Sequence, residues 1–236
     1  MQELKTLLSA IYLDLEWNCA DQPRPGDSDA EIVEIGLVAL DPAWLLLVGE
    51  ANYLVRPWHL DISLRCTAIT GITRDDLVHA KPLRDVIANV AGDWPGNATC
   101  FAWGNDGDIL TQACMRHSLA VPFHRFVDLS REFQRTFLLR KQVSVRRAPD
   151  MLEIPFDGGE YMAVTDARNT ARNHAKMLRR LRSAAPLPRS EQEVTMAGKP
   201  TWFASKLETS LDAGAANNKS KPVCDTRKRE NHNAEI

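Results

Sequence analysis

Apolar and polar positions alternate with a period of two over Ile11-Tyr12-Leu13-Asp14-Leu15-Glu16. This pattern predicts a strand that sends Leu13 and Leu15 to one face and Asp14 and Glu16 to the other. A polar connection follows over Asp21–Asp29, broken by Pro23, Pro25 and Gly26. Glu31–Leu40 is apolar and β-branched, Asp41-Pro42 is a turn signal, and Trp44–Val55 is apolar again. The three runs predict an antiparallel meander. The period then lengthens. Thr73 with Asp76 three residues on makes a capping box for a short helix. Pro82 opens another that reaches about Ala91. Thr99–Trp103 predicts a short strand, and Asp106–His117 a helix with Ile109, Leu110, Ala113 and Cys114 on one face. Arg125–Leu129 predicts the last strand. Ser130–Leu139, Ser144–Ile154 and Ala163–Arg182 predict helices. Pro149 falls inside the second of these, where an interior proline costs about 3 kcal/mol, so that helix is expected to start late with Pro149 in its first turn.

A meander followed by alternating helix and strand predicts an α/β fold. Its mixed sheet would join an antiparallel three-strand meander to parallel strands, with helices on its faces. Residues 1–182 are expected to form one domain. Residues 183–236 are rich in Ala, Ser, Asn, Pro and Lys and read as a polar, disordered tail, with Thr201-Trp202-Phe203 as an apolar island. A net charge of -2 rules out a global basic field, so any nucleic-acid contact must come from a local patch. The five cysteines include no C-x-x-C pair, which points to reduced, idle thiols rather than a zinc site. No apolar run is long enough to span a bilayer and no cleavage site is evident, so the expected location is cytoplasmic, with no membrane partner.

The acidic residues carry the candidate chemistry. Asp14 and Glu16 project from one face of an apolar strand, which is costly unless a cation offsets them or the strand end is solvated. Hard divalent cations prefer such oxygen ligands. Asp106 opens a helix directly after a strand, where it is either a ligand or a partner of the helix dipole, and Asp108 is its rival. Asp166 lies on a helix with Ala163, Ala167 and Ala171, small residues that let a helix lie close against a sheet. Arg140, Lys141, Arg146 and Arg147, with Arg168, Arg172, Lys176, Arg179 and Arg180, form either a phosphate-binding strip or a solvated face. Tyr12, Trp17, Trp58 and Trp103 are candidates for stacking on bases, Trp103 being better suited to the core.

These blocks resemble the DEDD family of 3′-to-5′ exonucleases, and within it the Eri-type group of DEDDh enzymes. The resemblance covers about Leu7 to Arg182. It rests on Ile11–Glu16, on Val55-Arg56-Pro57 followed by Cys66-Thr67-Ala68-Ile69-Thr70-Gly71-Ile72-Thr73, on Trp103-Gly104-Asn105-Asp106, on Val127-Asp128-Leu129 and on Gly158–Asn169. It implies a ribonuclease H-like fold and hydrolysis of the terminal phosphodiester of single-stranded nucleic acid, RNA more than DNA, to nucleoside monophosphates. It implies two divalent cations, Mg²⁺ or Mn²⁺, held by Asp14, Glu16, Asp106 and Asp166, and substrate contacts from Leu15, Trp17, Ile72, Trp103 and Arg147. The second block is shorter than the family pattern; Asp106, not Asp108, keeps the spacing to Ile109, Leu110 and Cys114. One residue departs in kind. Tyr161 stands five residues before Asp166, where DEDDh enzymes have histidine, while the DEDDy pattern puts tyrosine four before. A phenol ordinarily ionises near pH 10 and is a poor base at neutrality, and a positioned base is worth roughly 10²- to 10⁴-fold. The substitution leaves two expectations: an exonuclease with Tyr161 orienting water, or a weak or inactive homologue that binds nucleic acid or a protein partner. His174, about 12 Å along the helix from Asp166, is no substitute.

Overall fold

The computed structural model describes residues 10–18, 31–58, 62–158 and 162–184. Tyr161, Cys19, Cys224 and the tail from 185 onward lie outside the described residues. The elements run β1 (Ala10–Asn18), β2 (Glu31–Asp41), β3 (Leu46–Arg56), α1 (Leu64–Thr70), α2 (Arg74–Val78), β4 (Lys81–Pro82), α3 (Leu83–Asp93), β5 (Thr99–Ala102), α4 (Asp106–Arg116), β6 (Arg125–Asp128), α5 (Leu129–Thr136), α6 (Ala148–Leu152) and α7 (Ala163–Ala184).

The strands form one mixed sheet in the order β4-β3-β2-β1-β5-β6. β1, β2 and β3 are the antiparallel meander that the alternation predicts, whereas β5 runs parallel to β1, β6 to β5 and β4 to β3. The two-residue β4 was not legible in the sequence, because so short a pairing has no period. The turn into β3 is held by Asp41, whose Oδ1 accepts from the backbone N–H groups of Ala43 and Trp44 at 2.8 and 2.9 Å.

Alternation along β1 splits the core in two. Ile11, Leu13 and Leu15 face α3 and α4 in a cluster with Val86, Ile87, Val90, Leu110 and Ala113. Ala10 and Tyr12 face α7, against Val164, Ala167, Ala171 and Ala175. Burying each such Leu or Ile contributes on the order of 1.5–3 kcal/mol. This fixes the register of β1, since a slip of one residue would exchange Asp14 and Glu16 for leucines.

The helices follow their caps. Thr73 and Asp76 form the expected capping box on α2, and Pro82 precedes α3. Pro149 sits in the first turn of α6, which is confined to five residues rather than spanning Ser144–Ile154. α1 was not anticipated, although its signals are present. Ser63 Oγ accepts from Cys66 N–H at its start, and Gly71 takes the left-handed conformation at its end.

Candidate metal centre

Register places the acidic residues before any ligand is considered. Asp14 pairs with Gly36 and Glu16 with Glu34 across β1 and β2, all on the face covered by α7. β5 ends alongside Leu13, one residue short of Asp14. Gly104, at φ 121°, turns the chain from β5 into α4 in a conformation that glycine adopts without strain, and Asp106 opens that helix.

The approach of α7 to the sheet is the decisive contact. A Cβ on Gly36 would lie 2.1 Å from the carbonyl carbon of Ala163 and 2.2 Å from Val164 N. Glycine at 36 therefore lets the helix backbone rest on the strand backbone. Ala163, Ala167 and Ala171, all fully buried, continue that close seam. Glu34, itself buried, accepts from Ala163 N–H through Oε2 at 2.9 Å and from Asn52 Nδ2 through Oε1 at 2.6 Å. A charged acceptor on the first N–H of α7 satisfies an orphan donor and meets the positive end of the helix dipole. At the other side of the helix, Asn169 Oδ1 accepts from Asp157 N–H and its Nδ2 donates to Asp157 O and Thr165 O. These contacts fix the first turns of α7, and Asp166 with them.

As a result, carboxylate oxygens of Asp14, Glu16 and Asp166 lie within 4.8 Å of one another, and all three residues are buried. Two carboxylate charges at that distance repel by roughly 3 kcal/mol at an effective dielectric constant of 20. Three hard oxygen donors converging in a buried site fit a divalent cation. Asp106 is buried, at 5 % exposure, but stands outside this group of three; Asp108 is exposed. The charge of Asp106 reaches the neighbouring Cys100 thiol, which burial first and Asp106 second push well up. Glu16 in the same way adds to the burial that raises Cys66. Cys66, Cys100 and Cys114 are free and buried, as idle thiols would be.

Arg146 enters the site from the segment before α6. Its guanidinium is 3.5 Å from Asp166 Oδ1, with the two side chains 13 % and 2 % exposed, and it lies over the Phe156 ring at 5.1 Å. Its neighbour Arg147, expected to contact substrate, is exposed at the N-cap of α6.

The other expected contacts divide. The Leu15 side chain is packed in the core on the opposite face and does not line the site. Ile72 is buried against Val33, Cys66 and Leu77. Trp17 is half-buried beside a β-bulge that follows Glu16. Trp103 is half-buried and donates its indole N–H to Val143 O at 2.8 Å. Tyr12 is fully buried, so it offers no face to a base; its hydroxyl is 2.9 Å from His174 Nδ1. Burial raises the Tyr12 phenol and lowers His174 to about 4. The basic strip on α7 is largely consumed by the protein. Arg168 pairs with Glu50 at 2.9 Å and Arg172 with Asp157 at 3.3 Å, while Arg179 and Arg180 donate to the carbonyls of Leu45 and Leu152. Glu34 and Gly36 were missed as site residues. A lone charge and a lone glycine inside an apolar strand were the available signals.

No family model matches the chain. Among curated proteins, ERI1 exoribonuclease 2 of Danio rerio is 30% identical over 187 residues, covering 68% of this chain and 33% of the relative. The nuclease domain of 3′hExo, a DEDDh family member solved bound to rAMP, superposes with a TM-score of 0.66 at 21% identity, over 75% of this chain and 94% of that one. The chain belongs to the DEDD exonuclease family. Its sheet is the ribonuclease H-like sheet of that family. A second structure, a 3′-exonuclease in 3′-end specific recognition of the histone mRNA stem-loop, matches with a TM-score of 0.65 at 21% identity, over 73% of this chain and 83% of that one. The chain spans about a third of the length of the curated relative, so the DEDD assignment concerns the nuclease-like domain. No described helix is long and apolar enough to cross a membrane.

Proposed function

We propose that the protein is a metal-dependent 3′-to-5′ exonuclease that shortens single-stranded nucleic acid, RNA in preference to DNA, and releases nucleoside monophosphates. The observation that carries this reading is the buried convergence of Asp14, Glu16 and Asp166 on a DEDD-family sheet. The RNA preference is supported by relatives named as an exoribonuclease and as a 3′-exonuclease recognising an mRNA stem-loop.

Asp14, Glu16 and Asp166 would hold Mg²⁺ or Mn²⁺, with Asp106 as the fourth carboxylate of a two-ion site. Bound divalent ions supply an activated water and stabilise charge on the attacked phosphate and the leaving 3′ oxygen. The chain's own part is positional. Glu34 and the Gly36 seam set the depth of α7, which sets Asp166. Arg146, held over Phe156 beside Asp166, would offer its positive charge to the phosphate as charge develops there. Tyr161, at the histidine spacing, would orient water through its hydroxyl without removing a proton.

A second reading has its own support: Tyr161 in place of histidine, with Arg146 already paired to Asp166, suits a slow or inactive homologue that binds nucleic acid or a protein partner. One assay separates them. End-labelled single-stranded RNA and DNA are incubated with Mg²⁺ or Mn²⁺ and wild type, Asp14→Ala or Tyr161→His. Stepwise shortening by wild type that Asp14→Ala abolishes is the expected result. Shortening that survives Asp14→Ala in a clean preparation would discard the site. A silent wild type revived by Tyr161→His would establish the second reading.

A further inference from the structure

On the face of the sheet opposite the acidic cluster, a cleft of about 460 Å³ opens between the end of β3, the start of α3 and the end of α4. Its volume falls in the range of sites that take a small ligand. Its floor is apolar, with Val55, Pro57 and Ala113 buried. Its rim carries Arg56, Arg84, Arg116 and His117 against one acid, Glu31. With histidine neutral, the rim is cationic although the chain as a whole carries -2. Trp58 completes the rim and is 81 % exposed, an indole left open to solvent beside three arginines.

An uncovered aromatic face next to guanidinium groups recognises one chemistry well. Bases stack on the ring whatever their sequence, and phosphates pair with the arginines. The cleft also lies near the right end of the sheet. Ile32, in its wall, pairs with Trp17, the residue after Glu16. A strand whose 3′ end reached the acidic cluster would leave β1 at the end where this cleft opens.

We propose that this cleft is a second nucleic-acid site, which stacks one base on Trp58 and pairs its flanking phosphates with Arg56 and Arg84, upstream of the 3′ end being processed. It rests on the nuclease reading for its choice of ligand, and it predicts a length threshold. An oligonucleotide too short to span from the acidic cluster to the cleft gains nothing from it, whereas a longer one does.

The test uses the full chain and 5′-fluorescein oligouridylates of 4, 8, 12 and 20 nucleotides. Binding is followed by anisotropy in EDTA, across a salt series, for wild type, Trp58→Ala and Arg84→Glu. Both side chains are exposed, so neither substitution opens the core. Wild type is expected to bind the longer oligomers more tightly. Trp58→Ala should weaken that binding roughly 5- to 150-fold, the range for one stacked base. Arg84→Glu should weaken it and flatten its salt dependence. Metal-dependent shortening of the four-nucleotide oligomer should be unchanged by either. Variants that bind every length as wild type does would overturn the cleft while leaving the nuclease reading intact. A wild type that fails to shorten RNA, yet loses long-oligomer binding in the variants, would overturn the nuclease reading and keep the cleft. A wild type that binds no oligomer would overturn both.

Discussion

Gly36→Ala should damage the site without touching a carboxylate. The added methyl would stand 2.1 Å from the carbonyl carbon of Ala163, 2.2 Å from Val164 N and 2.5 Å from Ala163 O. All three are backbone atoms, so no side chain can rotate away. Ordinary contact begins near 3.4 Å, so α7 must retreat from β2 by about 1.3 Å. That movement stretches the bond from Ala163 N–H to Glu34 and carries Asp166, on the same first turn, away from Asp14 and Glu16. Overpacking usually costs about 1–3 kcal/mol, and a backbone clash belongs at or above the top of that range. A loss of about 3 kcal/mol lowers the melting temperature of a domain this size by roughly 6–12 °C. A displacement of about 1 Å in a catalytic group can cost roughly 100-fold in rate. Gly49→Ala on β3, where an added Cβ meets nothing within 4 Å, is the matched control. Calorimetric Mn²⁺ titration and thermal melting read the two effects separately. A Gly36→Ala protein that melts and binds Mn²⁺ like wild type would refute the claim that this seam sets Asp166.

Three further outcomes follow from the same geometry. Asp106→Asn should reduce metal-dependent RNA shortening by at least about 100-fold, while Asp108→Asn, at an exposed position, should leave it within a few-fold; equal losses would put Asp108 in the site. Arg146→Gln removes a cation 3.5 Å from Asp166, so Mn²⁺ should bind several-fold more tightly in the absence of RNA by calorimetry, and weaker binding would contradict the pairing. His174 is held near 4 by burial, against 6.5 when exposed, so the folded state resists taking up its proton. Its contribution is intact above about pH 6.5 and is lost as pH falls toward 4, up to about 3 kcal/mol. Urea denaturation at pH 4.5 and 7 should show a smaller pH difference for His174→Gln than for wild type, and an equal difference would remove His174 from the acid limb.

The meander, the capped helices and the late start of α6 at Pro149 were legible because each rests on a local rule: alternation, a cap or a missing N–H. Asp14 and Glu16 were legible for the same reason, since one strand alone puts both on one face. α1 and β4 were not. α1 is seven residues long and carries its signal in Ser63 and Gly71 rather than in a period, and β4 is a two-residue pairing. The partners of the basic strip on α7 were not legible, because sequence shows charge but not what lies across from it. Glu50, Asp157 and the carbonyls of Leu45 and Leu152 are distant in the chain and adjacent in the fold.

The same limit explains why the two supports of Asp166 escaped notice. Glu34 and Gly36 lie 132 and 130 positions before Asp166, and nothing local ties them to it. Yet both touch the first residues of α7, the turn that carries Asp166. A helix aspartate has no preferred depth over a sheet. Depth is set where the backbones touch, and on β2 they touch at Gly36, beside Asp14 in register. Glu34, beside Glu16, then holds the helix end through Ala163. Each carboxylate of β1 in the cluster thus has, directly opposite it on β2, a residue that positions α7. β2 acts as the gauge that brings a carboxylate from late in the chain to two from its beginning, and a DEDD-like centre requires that fit as much as it requires the acids.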